Sequence, residues 1–496
     1  MQGSRVARIA SGLVLASLMI TACVLTANNT DTQPSVAEEQ SVPATPDEPL
    51  PTAMATREAF APGTLVDYIA QTGDTLPALA AHFNTSEVEI REANPIIPGD
   101  ATTMPPGFPM KIPIYYRAFW GSSLQIIPDR LFINGPAQIN FDAEAFVKSQ
   151  PGWFKDYVAY LGNANRRGGE IVNYIATLYS VSPRLLLAIL EYQTGALSNA
   201  EPPANLDEYP LGYRSTAHTG VARQLIWAAN RLNNGYYGWR TGDLIQYQSL
   251  DGRIEAPDPW QNAASVGISY YFAGVLRGDA YTYAVSGDGF RKTYAALFGD
   301  PWVGGEDHMA GSLRQPEFRL PFSSGDSWAF TGGPHTGWGE GEPLAALDFA
   351  PPAVVGGCSP TEEFTTAVAA GIVARTGDAQ VVLDLDGDGD ERTGWVVFYL
   401  HVANASLPAV GTILEAGAPI GLPSCEGGRA TGTHVHIARK YNGEWIPADG
   451  ALAFNMEGWI AHNGATEYEG TLSRSGQIVR ASVSSDNKSQ IQSTVN

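Results

Sequence analysis

Cysteine is scarce, 3 among 496 residues, which is too few for a fold stapled by several disulfides. Basic residues are short as well. Thirty Lys and Arg face 51 Asp and Glu, a formal charge of −21. Such a chain has no sequence-independent affinity for phosphates, so no nucleic-acid partner is expected. The acidic balance favours solubility and points to no particular partner. Long apolar runs are absent too. The run Ile9 to Ile20 is too short for a comfortable membrane span, and no later segment looks transmembrane. Hydrophobic residues nevertheless make up 44% of the chain, enough for real cores, and the length fits two to four domains.

What is present starts with an export signal over residues 1–22, where Arg5 and Arg8 precede the apolar run. The run ends in Ile20-Thr21-Ala22-Cys23, similar to the bacterial lipobox. That resemblance implies cleavage before Cys23 and a lipid anchor on it, placing the protein outside the cytoplasm at a bacterial membrane. An ordinary signal peptide with an incidental cysteine is the alternative. Residues 23–60, rich in Thr, Pro, Ala and Glu, read as a flexible tether.

Residues 64–114 read as a small α+β module. Val66 to Ala70 alternates like a strand, and Asp74 or Thr75 caps a helix with Leu76, Leu79, Ala80 and Phe83 at helical spacing. A second helix runs from Ser86 to Ala93, and Pro106 to Pro113 reads as a loop and returning strand. This order, with Thr72-Gly73-Asp74-Thr75-Leu76 and Ala93-Asn94-Pro95, resembles a LysM module. The resemblance implies binding of the peptidoglycan glycan strand through the loops at Gly73 to Leu76 and Asn94 to Ile97. A degenerate module serving as a spacer is the alternative.

Residues 120–300 read as all-α, with apolar spacing in Ile171 to Leu178, Pro183 to Leu190, Trp227 to Leu232 and Ala264 to Val275. The run Val181 to Gly195 resembles the helix of lysozyme-like lytic transglycosylases, in which a Glu is the general acid. That position here is Gln193, which cannot cycle a proton, and Glu191 lies on another helix face. The region therefore reads as a lysozyme-like domain without glycosidase activity, or as a helical spacer. Residues 300–317 read as a polar, Gly-rich linker.

Residues 318–465 read as mainly antiparallel β. His434 and His436 lie two apart on a strand and so share a face. Asp348 sits alone in an apolar strand, where a carboxylate is costly unless paired or metal-bound. With Tyr399-Leu400-His401, these residues resemble the LytM/lysostaphin-type zinc endopeptidases, which cut peptide bonds in peptidoglycan. The resemblance implies zinc on Asp348 and His436, with His434 and His401 catalytic. The family's other His ligand usually lies four residues before the Asp, where this chain has Leu344. His335 is the expected replacement, with Thr336 to Pro343 as an inserted loop, and His308 is the fallback. If the displaced ligand is lost, the runner-up is an inactive wall-binding scaffold or regulator. Cys358 and Cys425, both in this region, are expected to form a disulfide rather than thiolate ligands. Asp384 to Asp390 reads as an Asp/Gly turn, with weak calcium binding as the alternative. Residues 484–496 read as a disordered tail.

Overall fold

The computed structural model describes residues 60–118, 120–353 and 355–494. The export signal, Cys23 and nearly all of the tether lie outside these residues. No described helix is long and apolar enough to cross a membrane.

The first region is β1 (Thr64–Ile69), α1 (Leu76–Phe83), α2 (Glu87–Ala93) and β2 (Pro109–Ile114), with β1 antiparallel to β2. Thr75 caps α1, its side chain accepting from the Ala78 N–H, and Ser86 and Glu89 form a capping box on α2. Leu76, Leu79, Phe83 and Ile90 fill the core against Val66, Tyr68 and Ile112. The loop expected to bind glycan is largely covered. A Cβ on Gly73 would lie 2.6 Å from the Arg240 guanidinium, and the Thr72 hydroxyl donates to the Met309 carbonyl at 3.2 Å. In the second loop Asn94 is buried, and Ile96 is 77% exposed.

The second region carries α3 (Ala143–Ser149), a hairpin of β3 (Val158–Leu161) and β4 (Ala164–Arg167), α4 (Gly168–Tyr179), α5 (Pro183–Thr194) and α6 (Val221–Thr241). A second small hairpin, β5 (Tyr247–Gln248) with β6 (Ile254–Glu255), precedes α7 (Ala263–Ala273), α8 (Gly278–Ala284) and α9 (Phe290–Phe298). The region is thus helical but not all-α. Val158 to Leu161 are apolar or aromatic throughout and Ala164 to Arg167 mostly polar, so neither strand shows a two-residue apolar period in the sequence. Gln193 is a packing residue: its amide donates to the Leu211 carbonyl at 3.0 Å and accepts from the Tyr271 hydroxyl. Glu191 accepts from the Leu197 N–H and the Ser198 hydroxyl, tying down the turn after α5.

Residues 300–317 are not a free linker. Met309 and Leu313 are buried, and Thr102 and Thr103 donate to the Leu313 and Ala310 carbonyls at 2.6 and 2.8 Å.

The third region is a nine-stranded antiparallel sheet with smaller pieces around it. Its strands enter as β7 (Ser327–Thr336), β8 (Leu344–Ala350), a short β9 (Thr365–Thr366), β10 (Gly371–Gly377), β11 (Gln380–Asp384) and β12 (Trp395–Leu400). Then come β13 (Ile413–Leu414), β14 (Pro419–Gly421), β15 (Val435–Tyr441) and β16 (Glu444–Trp445). The main order is β13-β10-β11-β12-β15-β8-β7-β21, with β16 on β15 and β14 paired to β9. A four-stranded sheet follows: β17 (Asn455–Met456), β18 (Trp459–Asn463), β19 (Gly470–Arg474) and β20 (Gln477–Arg480). β21 (Gln490–Gln492) then returns to pair with β7. The β structure therefore runs past residue 465, and the stretch expected to be disordered contributes an edge strand. Ile491 explains this: it is 2% exposed in the core that holds Trp328, so one apolar residue anchors a polar tail.

Alternation along the strands gives the sheet two buried faces. Leu347, Phe349, Val397, Tyr399 and Ile437 point into the core of the β region. Ala346, Phe398, Leu400 and Ala438 point the other way and share a core with the helices.

Candidate metal centre

Register brings the centre together. His436 on β15 lies opposite Asp348 on β8, and Leu400 opposite His436. His335, near the end of β7, lies opposite Ala346, so it shares the face of Asp348. The displaced histidine returns because residues 337–343 form the hairpin loop between β7 and β8. Irregular register along β7 lets its end swing over the sheet. Gly332 faces Asp348, and a Cβ there would collide with Asp348 Oδ2. His308 takes no part: its Nε2 is 2.5 Å from Glu444 Oε2, in a separate buried cluster.

The donor set fits a metal ion. His335 Nε2 and His436 Nδ1 are 3.0 Å apart, and they lie 3.3 and 3.4 Å from Asp348 Oδ1. These separations approach the edge of roughly 3.3 Å expected between ligands of a tetrahedral zinc site. Among the described residues Asp348 Oδ1 has no hydrogen-bond partner although it is buried, as a ligand atom would be. The remaining ring nitrogens face backbone carbonyls, His335 Nδ1 on Gly333 at 2.8 Å and His436 Nε2 on Gly337 at 3.2 Å. Those bonds aim the ligand nitrogens at one point. Two imidazoles and one carboxylate are a zinc donor set that leaves a coordination position open. Burial works against charge on Asp348, yet His335 and His434 hold its carboxyl well below the usual range. With His335 in place, the ground for an inactive scaffold falls away.

Two further histidines flank the three. His434 Nε2 is 3.8 Å from Asp348 Oδ1, and its Nδ1 is 2.8 Å from the Gly432 carbonyl. The His401 ring lies 4.5 Å from that of His434, and its Nδ1 is 2.7 Å from the Glu426 carbonyl. Burial, with His434 close by, lowers the His401 ring to about 4, so it is neutral at physiological pH. His401 leaves β12 at φ +66, a left-handed conformation costly for a non-glycine residue.

The sequence reading missed Tyr468. It also sits at positive φ, and its ring stacks on His335 at 4.2 Å. It belongs to the turn before β19, and no local pattern marks a residue that meets its partner 133 positions away. The five histidine and aspartate residues line an open cleft of about 1620 Å³, together with Trp338, Glu340, Arg429, Glu467 and Tyr179 of α4.

The disulfide Cys358–Cys425 is formed. Beside it, the Thr433 N–H donates to Gly357 at 3.0 Å and the Thr433 hydroxyl to Ser359 at 2.5 Å, next to His434. In the acidic turn, Asp384 is buried and accepts from the N–H groups of Asp386, Gly387 and Gly389. Its carboxylate therefore organises the turn.

Residues 125–311 match the family model of the LasA N-terminal domain. The chain is 27% identical over 344 residues to protease LasA of two Pseudomonas aeruginosa strains, covering 65% of this chain and 75% of the relative. Among solved structures it is similar to pseudoalterin, an M23 metalloprotease from the deep sea. That similarity is 23% identity and a TM-score of 0.29, over 34% of this chain and 96% of that one. For the catalytic domain of lysostaphin from Staphylococcus simulans the values are 21% and 0.18, over 24% and 87%.

Proposed function

We propose that this chain, a zinc metalloendopeptidase of the M23 type, cuts peptide bonds in the cross-bridges or stem peptides of peptidoglycan. The observation that carries the reading is the convergence of His335, Asp348 and His436, with His434 and His401 beside them in an open cleft. Held by those three side chains, zinc supplies Lewis acidity toward a scissile carbonyl and toward water.

The protein's own groups do the proton work. His434 is the general base. With Nδ1–H donated to Gly432, Nε2 carries the lone pair and takes a proton from the attacking water. The same nitrogen then returns that proton to the leaving amine. His401 is neutral and gives its Nδ1–H to Glu426, so its other nitrogen can only accept. That favours orienting the water over donating to an oxyanion. The cleft wall of Gly427, Gly428 and Gly432 leaves room for an extended peptide.

The region 64–114, similar to a LysM module, holds glycan in this reading. Because Gly73 is covered by Arg240, contact falls to the exposed loop at Pro95 to Pro98. The disulfide fits an extracytoplasmic site of action, with Cys23 as the lipid anchor.

Incubation with purified peptidoglycan tests the reaction. New amino termini should appear without new reducing or anhydro sugars, and a chelator should stop their release. His434→Ala should lower the rate by at least about a hundredfold while about one zinc per chain is retained. New sugar ends, or full activity without metal, would overturn the proposal.

A further inference from the structure

We propose that Glu467 sets the specificity of the cleft by holding a primary ammonium group of the substrate, either a free amino terminus or the side-chain amine of a diamino acid. This rests on reading the cleft as the peptidase site, and it narrows the substrate to wall peptides that carry an uncapped amine.

Glu467 belongs to the turn between β18 and β19. Backbone bonds fix that turn to the strand of His335. The Gly333 N–H donates to the Tyr468 carbonyl at 2.8 Å, and the Tyr468 N–H donates to the Pro334 carbonyl at 3.2 Å. The two segments are in close contact, since a Cβ on Gly333 would lie 2.3 Å from the Glu469 carbonyl oxygen. With the Tyr468 ring stacked on His335, the residue before it is held at the rim of the metal centre. The Glu467 charge reaches His335, Tyr468 and Glu342 of the β7–β8 loop. Yet its side chain is exposed in the cleft, and no hydrogen bond or ion pair engages it among the described residues.

The rest of the cleft divides the charge. Glu340, on the β7–β8 loop, adds to the acidic side. Arg429 is the one Lys or Arg lining the cleft among the described residues. It follows Gly428, where a Cβ would lie 3.4 Å from His401 Cε1, on the strip that leads to His434. The wall beside His335 is therefore acidic and the wall beside His401 basic. A cation is drawn to the first and repelled from the second, so charge also sets the direction in which an extended peptide lies. An ammonium group brings three donors and no acceptor, which suits a carboxylate without partners. An acetylated amine brings one donor and no charge. In a network of linked peptides, linking consumes amines, so a free amine marks an open or already cut strand. Hydrolysis of a peptide bond yields a carboxylate and a new ammonium group. The preference therefore favours further trimming of cut strands over first cuts in closed ones.

The test measures kcat and KM on the zinc-loaded protein, and Kd by calorimetry on the metal-free protein, where nothing is consumed. The ligands are a soluble muropeptide with both amines free and the same muropeptide acetylated at the amino terminus or at the diamino-acid side chain. Wild type should favour the free form roughly fivefold in KM and Kd. The preference should fade at about 0.5 M salt. The acetylation that lowers affinity identifies which amine is held. Glu467→Gln should abolish the preference at unchanged zinc content, and Glu467→Lys should reverse it. Glu469→Gln is the control. It belongs to the same turn, does not line the cleft, and should keep the preference. Equal affinity of the wild type for all three forms overturns the inference, as does a preference that survives Glu467→Gln. A loss in Glu467→Gln that is equal for every form would make Glu467 a brace for Tyr468 and overturns it too. So does loss of the preference in Glu469→Gln, which would mean diffuse surface charge. Zinc-loaded protein that cuts none of the three forms overturns the peptidase reading itself.

Discussion

Asp348 Oδ1 is a buried carboxylate oxygen with no hydrogen-bond donor among the described residues, a condition that costs about 1–3 kcal/mol unless something else binds it. Two imidazole nitrogens at 3.3 and 3.4 Å make an ion the natural occupant. His335→Ala should therefore abolish zinc binding in elemental analysis of purified protein, whereas His308→Ala should retain it. The reverse result would move the ligand to the cluster at Glu444. At this scale the sequence was informative. Asp348 stood out as a charge in an apolar strand, and His434 and His436 as a same-face pair. Tyr468 was not legible, because it is an ordinary aromatic residue whose place at the site comes from a partner more than 100 positions away.

Among elements, the β7–β8 hairpin decides whether a second imidazole joins Asp348 and His436 at the centre. A ligand thirteen positions before Asp348 is usable because the loop restores His335 to the right face. The Gly-rich stretch signalled a loop in the sequence, but the register that makes it productive is a property of pairing. The disulfide acts at the same scale. It closes 67 residues and holds Gly357 to Ser359 against Thr433, beside His434. Chain entropy assigns such a closure about 4 kcal/mol. Replacing both cysteines by serine should lower the thermal midpoint by several degrees and reduce turnover severalfold, with zinc content unchanged. Unaltered turnover would show that the bridge serves stability alone. The hairpins β3–β4 and β5–β6 escaped notice because short strands with exposed faces carry no apolar period.

Across the whole molecule, a buried charge cluster joins all three regions. Arg240 pairs with Asp129 at 3.0 Å and with Glu444 at 3.0 Å, and it donates to the Thr72 carbonyl. Tyr236 and His308 also reach Glu444, at 2.8 and 2.5 Å. Burial alone would raise the Glu444 carboxyl, but Arg240 and these hydrogen bonds hold it at about 2, against 4.5 when free. Its stabilising effect is therefore fully present above about pH 4.5 and lost as pH falls toward 2. Glu444→Gln should flatten the acid limb of the melting-temperature profile over that window and cost about 3 kcal/mol at pH 7. An unchanged acid limb would show that another carboxylate controls it. Charged residues scattered along the sequence gave no hint of this cluster, since only folding brings positions 129, 240, 308 and 444 together. The same holds for the contiguity of the regions, because stretches that read as tail and linker turned out to be packed.

The return of β21 to β7 has a practical corollary. It shields the outer border of the strand that carries His335. A polypeptide truncated near residue 484 would present that border bare to other molecules and would be prone to self-association. Purification tags are therefore better placed away from this end.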